Sequence, residues 1–252
     1  MVRTERPHIR TLAIGDGAND VNMISDAHVG VGIQGLEGSQ AARVADFAIG
    51  EFKLLKRLIL AHGRECYRRN SDLVSYFFYK NLVAVLPPLY IGIFTGFSGQ
   101  ILYEPFIFEC YNTFFTALPI LLYTVIDNEI PLRFMENEPR MYSIGPKRLN
   151  FNTSRLWGIW ILKALLQALI ICVLSCCLIE YNFVHSGKLH DFWANGMSIF
   201  TGVVIVTNME LYFLHNEHSL LVYVVIFGSI GFYFFVFLMF SFIKENPVYM
   251  LL

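Results

Sequence analysis

The sequence predicts a mostly α chain, a multi-span helical membrane domain preceded by a short α/β piece. Apolar residues make up 55% of the 252 positions and charged residues only 15%, against roughly a quarter charged in typical globular chains. A chain of this length cannot build a core large enough to bury so much apolar surface, and the surplus, which includes 23 Phe, points to lipid. The chain also changes character near residue 70. Short apolar runs separated by turns give way to apolar segments of membrane-spanning length, about 20 residues each.

The first part reads as α/β. Thr11–Ile14 is a short apolar run closed by Gly15, like a buried parallel strand. Residues 19–27 suit a helix, Val29–Ile33 alternates Val with Gly as a second strand, 39–45 is a short helix, and 46–49 a third strand. Alternating strands and helices indicate a parallel sheet. Two or three strands are too few for independent stability, so this piece is expected to complete a sheet begun elsewhere.

From about Glu51 the pattern becomes helical and basic, with Lys53, Lys56, Arg57, Arg64, Arg68 and Arg69. The predicted organisation is an α/β piece over 1–51, a stalk helix over 52–71, spans at 72–95, 104–126, 155–179, 192–214 and 220–243, and a tail over 244–252. No strong breaker separates a helix over 52–69 from one over 72–94, which suits one long helix leaving the α/β piece for the bilayer. The basic cluster ahead of the first span places residues 1–71 in the cytosol by the positive-inside rule. Arg133, Arg140, Lys147 and Arg148 place the segment after the second span there too, while the turns at 96–100 and 181–190 are expected outside. Five spans leave the carboxy terminus outside.

The sharpest chemical feature is Gly15-Asp16-Gly17-Ala18-Asn19-Asp20, directly after the first strand. Glycines let the backbone turn tightly at the carboxyl end of a strand, where α/β sheets bind ligands. Hard cations such as Mg²⁺ take one or two carboxylates plus substrate phosphates, and Asp16 and Asp20 offer two. A lone Gly-Asp-Gly reads as a turn with solvated aspartates. The longer string, with a strand before it and a helix after it, favours a site.

Residues Thr11–Ile24 resemble the closing motif of the phosphorylation domain of P-type ATPases, which is HAD-like. The continuation resembles the class IV, phospholipid-flippase group at Ala27–Ile33, Gly35–Ala41, His62-Gly63-Arg64, Tyr79-Lys80-Asn81, Gly96–Gly99 and Tyr111–Thr116. The resemblance runs from residue 11 to about 130; beyond that only hydropathy and spacing agree. It implies that Asp16 is a Mg²⁺ ligand, that Asp20 shares the metal site, and that Asn19 helps order the phosphate. It implies ATP as substrate, and Lys80, Asn81 and Asn112 on the path of a phospholipid headgroup from the outer to the cytosolic leaflet. An accessory β subunit is a further implied partner. The family's Asp-Lys-Thr-Gly-Thr motif, which holds the phosphorylated aspartate, does not occur in this sequence, so the chain alone is expected not to hydrolyse ATP.

Lys80 lies about 12 Å along a helix from Asp72 at 1.5 Å per residue. A cation at that depth marks a functional site by default, against the alternative of a side chain that snorkels to the surface. Pro87-Pro88 and Pro119 free backbone carbonyls and are expected to bend their helices. Glu104 is expected at the outer boundary. Glu109 has two readings, a pair with Lys80 or a cationic headgroup, and a water-exposed acid near the outer mouth. Lys163 is expected to snorkel within an aromatic belt with Trp157 and Trp160, Asn208 and Glu210 to form a boundary pair, and His185, His190, His215 and His218 to lie in solvated turns.

A net charge of −1 gives no case for nucleic-acid binding. Cys172, Cys176 and Cys177 lack a nearby His or acid at ligand spacing and read as small hydrophobes. Two other functions remain open: a truncated, non-catalytic membrane partner or regulator, and, less favoured, a cation pump, which needs more acids deep in these spans.

Overall fold

The computed structural model describes residues 2–6, 8–35, 39–140, 142, 153–186 and 192–243. Residues 36–38, Lys147, Arg148, His190 and the tail lie outside them, as do the side chains of Trp157 and His185. The chain divides into two compact units. One comprises Met1–Arg64 with Pro131–Tyr142, the other Glu65–Ile130 with Ser143–Leu252.

The first unit opens with a short helix, α1 (Val2–Glu5), and holds three parallel strands in the order β1 (Leu12–Gly15), β2 (Val29–Ile33) and β3 (Phe47–Ile49). The register pairs Ala13 with Gly30 and Gly32 with Ala48. Helices α2 (Val21–Asp26) and α3 (Gln40–Val44) pack on the sheet through Ile24 and Ala41, with Ala13 beneath them. The glycines of β2 make that packing possible. A Cβ on Gly32 would stand 2.5 Å from the Cα of Ala42, and one on Gly30 would stand 2.6 Å from the side chain of Ile24. Close helix–sheet approach therefore explains both glycines.

Helix α4 (Leu54–Arg57) begins two residues later than the predicted stalk. It continues through wide, π-type turns at Leu58–Gly63 into α5 (Arg64–Phe94), so helical residues run unbroken from Leu54 to Phe94. Within the first unit, α8 (Leu132–Asn137) lies against the wide turns: Arg57 pairs with Glu136 at 3.1 Å and Arg64 meets Met135 Sδ at 3.5 Å.

The second unit continues α5 and adds α6 (Pro105–Cys110), a wide turn (Tyr111–Phe115), α7 (Ala117–Ile126), α9 (Thr153–Ser186), α10 (Phe192–Leu214) and α11 (Leu220–Ser241). Among the described residues five helical stretches are long and apolar enough to cross a membrane: Leu54–Phe94, Pro105–Ile126, Gly158–Cys177, Phe192–Leu214 and Leu220–Ser241. The chain is thus an integral, multi-pass membrane protein. Helix α9 runs on to Ser186, into the segment expected to be a turn. Glu104, at the start of the second span, is buried and caps α6, its Oε2 accepting from the N–H of Ile107 at 2.6 Å.

Prolines inside these helices leave carbonyls without their usual partner, and neighbouring side chains supply one. Pro88 cannot serve the carbonyl of Ala84, which accepts from the Tyr103 hydroxyl at 3.1 Å. Pro119 cannot serve that of Phe115, which accepts from Asn208 Nδ2 at 3.1 Å. Asn208 is therefore a buried clasp between α10 and the wide turn, and the boundary role expected for it does not hold.

Candidate functional sites

In the first unit, Asp16, Asn19 and Asp20 follow β1 directly, with Ala18–Asp20 forming one tight helical turn. Asp20 folds back over the strand end: its Oδ2 accepts from the N–H of Gly17 at 3.4 Å, and a Cβ on Gly15 would sit 2.4 Å from the Cβ of Asp20. Gly15 is thus the space that lets the Asp20 side chain lie back over the strand end and reach the N–H of Gly17. Asp16 and Asn19 are exposed, and a Cβ on Gly35 would lie in ordinary contact, 3.5 Å, from the Cβ of Asp16. Among the described residues no group of three or more His, Cys, Asp or Glu side chains is arranged to hold a metal ion. Two carboxylates with open positions fit Mg²⁺, which usually keeps several waters and takes the rest of its shell from phosphates.

In the second unit, Lys80 is buried on α5. Its Nζ donates to Thr116 Oγ1 at 2.7 Å and stands 4.9 Å from the ring centre of Phe77. The Thr116 hydroxyl donates to the carbonyl of Tyr111 at 2.8 Å, and the Tyr111 hydroxyl donates back to the carbonyl of Lys80 at 3.0 Å. The wide turn at Tyr111–Phe115 makes this closed circuit possible, because Thr116 reaches a carbonyl five residues earlier. Lys80 therefore turns inward and does not snorkel.

Asn81 Nδ2 donates to the carbonyl of Phe77 on its own helix at 2.9 Å, and Asn112 is exposed on the wide turn. No hydrogen bond joins Lys80, Asn81 and Asn112 among the described residues; Thr116 and Tyr111, the two ends of the Tyr111–Thr116 motif, hold the lysine. Glu109 is exposed and, with Gln100, lines the rim of a cavity of about 360 Å³ walled by Pro88, Tyr103 and Phe108. Of its two readings, the pair with Lys80 is not formed.

Lys163 forms an ion pair with Glu210 between α9 and α10, with its Nζ 5.8 Å from the Trp160 ring centre. The pairing replaces both the expected snorkelling and the expected Asn208–Glu210 pair. His215 is buried against Tyr123 at 5.0 Å between ring centres, and is not a solvated turn residue.

A buried ionic junction also lies in the second unit. Arg68 binds Glu65, Asp72, Asp127 and the Tyr123 hydroxyl at 2.9, 3.5, 2.8 and 2.8 Å. Burial works against the charge of Asp127. Hydrogen bonds from the side chain and backbone of Asn216, from Arg68 and from the N–H of Glu217 outweigh it and hold the carboxyl below the usual carboxylate range. The spacing of Glu65, Arg68 and Asp72, three and four residues apart on one helix face, was the available signal for this cluster.

Comparison with known proteins gives a consistent picture. The family described as phospholipid-translocating P-type ATPase, C-terminal, matches residues 42–251. Probable phospholipid-transporting ATPase 5 of Arabidopsis thaliana is 38% identical over 222 residues, 88% of this chain and 18% of that protein. Phospholipid-transporting ATPase DRS2 of Saccharomyces cerevisiae is 38% identical over 224 residues, 88% of this chain and 16% of that protein. Phospholipid-transporting ATPase IH of Homo sapiens is 38% identical over 234 residues, 92% of this chain and 20% of that protein. The chain spans about a fifth or less of the length of these relatives. With the match covering most of the sequence, five membrane-competent helices and an Asp16–Asp20 loop ahead of them, the chain belongs to the phospholipid-translocating P-type ATPases, as a piece of their carboxy-terminal part.

Proposed function

We propose that this chain is the carboxy-terminal portion of an ATP-driven pump that moves a phospholipid from the outer to the cytosolic leaflet. The observation that carries the reading is the burial of Lys80 in a membrane helix with a hydroxyl and two aromatic rings as its neighbours. A cation held at that depth is costly and marks a functional position. Lys80 and Asn112, on adjacent spans, would flank the headgroup path, with Asn81 about 100° round the helix from Lys80. The basic residues between Lys53 and Arg69 support a cytosolic position for residues 1–71. An accessory β subunit would be the protein partner.

The α/β piece is proposed to be the last part of the HAD-like phosphorylation domain, with the stalk following from Phe52. Asp16 would hold Mg²⁺ with Asp20 beside it, and Asn19 would orient the phosphate. When bound, Mg²⁺ spreads charge on a transferring phosphoryl group. The chain's own contribution is to fix two carboxylates at one strand end. The remaining parts of the ATP site would come from a longer polypeptide carrying this sequence.

The test is to map the transcript upstream of the Met1 codon, express the full-length product with its accessory subunit, and assay ATP hydrolysis in phospholipid vesicles. Phospholipid should stimulate hydrolysis, and Lys80→Met should remove most of that stimulation. Asp16→Ala should abolish the Mg²⁺-dependent phosphoenzyme while leaving the protein folded, because Asp16 is exposed. A wild-type protein indifferent to phospholipid, or a Lys80→Met variant stimulated like wild type, would sink the reading.

A further inference from the structure

Asp127 stands just after α7, and its carboxylate is sealed from solvent. Its Oδ2 accepts from Arg68 Nη2 at 2.8 Å and from Asn216 Nδ2 at 3.0 Å. Its Oδ1 accepts from the backbone N–H of Asn216 at 2.7 Å and of Glu217 at 3.2 Å. Three segments that are distant in sequence thus converge on one side chain: α5, the end of α7 and the turn between α10 and α11.

The chemistry of the junction requires a charge. Four donors point at two oxygens, and only a carboxylate offers acceptors on both sides. An amide in its place would turn an NH₂ group towards at least one of these donors. Hydrogen bonds to ionised groups are also shorter and stronger than neutral ones. The tie is directional, since Arg68 is itself fixed on α5 by Glu65 and on α7 by the Tyr123 hydroxyl, which in turn donates to Asp72 at 2.7 Å. Stability alone does not demand such an arrangement, since replacing buried ion pairs by apolar residues of similar volume is often neutral or stabilising.

We propose that Asp127 is a positioning residue for transport, tying α5 to the α10–α11 turn so that displacement of one displaces the other. The proposal rests on the translocase reading above, because coupling has meaning only in a pump that cycles between states.

Two measurements decide it. The first follows hydrogen exchange in the full-length pump, reconstituted in lipid nanodiscs. In Asp127→Asn the amides of Asn216 and Glu217 should exchange about tenfold faster, with those of α9 unchanged. Unchanged exchange at Asn216 and Glu217 overturns the proposal whatever the protein transports. The second follows lipid moved per ATP hydrolysed by the full-length pump. The ratio should fall about tenfold in Asp127→Asn, with hydrolysis largely retained, and in the same direction but less in Asn216→Ala, which removes one donor. An equal fall in hydrolysis and transport, leaving the ratio unchanged, overturns it. A wild-type pump without phospholipid stimulation counts against the translocase reading, and the exchange measurement then still judges the junction.

Discussion

The hydroxyl of Tyr111 donates to the backbone carbonyl of Lys80 at 3.0 Å, while the ammonium of Lys80 reaches the segment of Tyr111 through Thr116 at 2.7 Å. Backbone and side chain of the same lysine are thus both held by the wide turn. Thr116→Val keeps the shape and removes the hydroxyl that receives the buried ammonium. It should lower stability by about 1–3 kcal/mol, the cost of an unsatisfied buried polar group, whereas Thr116→Ser should be milder. Thermal unfolding of the reconstituted chain would show it, and a Val variant as stable as wild type contradicts the assignment.

At Gly196, α10 passes close to the segment before α6. A Cβ there would fall 1.9 Å from the carbonyl oxygen of Leu102, a backbone atom that cannot swing away. Gly196→Ala should therefore destabilise by about 3 kcal/mol, at the upper end of overpacking costs. Gly228→Ala on α11, where nothing lies within 4 Å, should be neutral or stabilising by up to about 1 kcal/mol through helix propensity. Similar melting temperatures for the two variants would refute the contact.

The Lys163–Glu210 pair is unequal: the lysine side chain is 41% exposed and the glutamate 10%. Lys163→Met leaves a nearly buried carboxylate unpaired, while Glu210→Gln leaves a lysine free to turn outward. The first should cost about 1–2 kcal/mol and the second less, after allowance for screening of the exposed partner. The double substitution should cost less than the sum. Additive losses in a double-mutant cycle would exclude coupling between the two.

Asp127 also sets an acid limit. Its carboxyl is held below the ordinary value of 3.8 in the folded chain. A depressed carboxylate stabilises the fold fully above the unfolded value and loses that contribution as pH falls through the folded one. The stability gap between wild type and Asp127→Asn should therefore be flat above roughly pH 5 and close progressively below roughly pH 4. Melting curves across that range test it, and a gap that widens on acidification contradicts the sign.

The spans were legible because length and apolar content are local properties of the sequence. So were β1, a short apolar run closed by glycine, and β2, where Val alternates with Gly. Pairings between distant segments were not. Lys163 meets Glu210 from 47 positions away and Arg68 meets Asp127 from 59, and no periodicity announces such partners. The positive-inside argument counted Arg68 as one more cation of the basic cluster, whereas it is buried and pairs with three carboxylates. Asn208 was missed because the carbonyl it serves is emptied by Pro119, on a different helix. The Asp16 loop was legible as a motif, but the return of Asp20 over Gly15 needed coordinates.

The wide turn at Tyr111–Phe115 acts as a phase slip. Each residue of an α-helix advances the wheel by about 100°, so the extra residue accommodated there rotates everything from Ala117 to Ile126 relative to Pro105–Cys110. A single helical wheel drawn through the whole span assigns the wrong azimuth to one half of it. Deleting one residue within the turn would restore regular winding, swing Tyr123 away from Arg68 and Asp72, and undo the junction without touching any of its members.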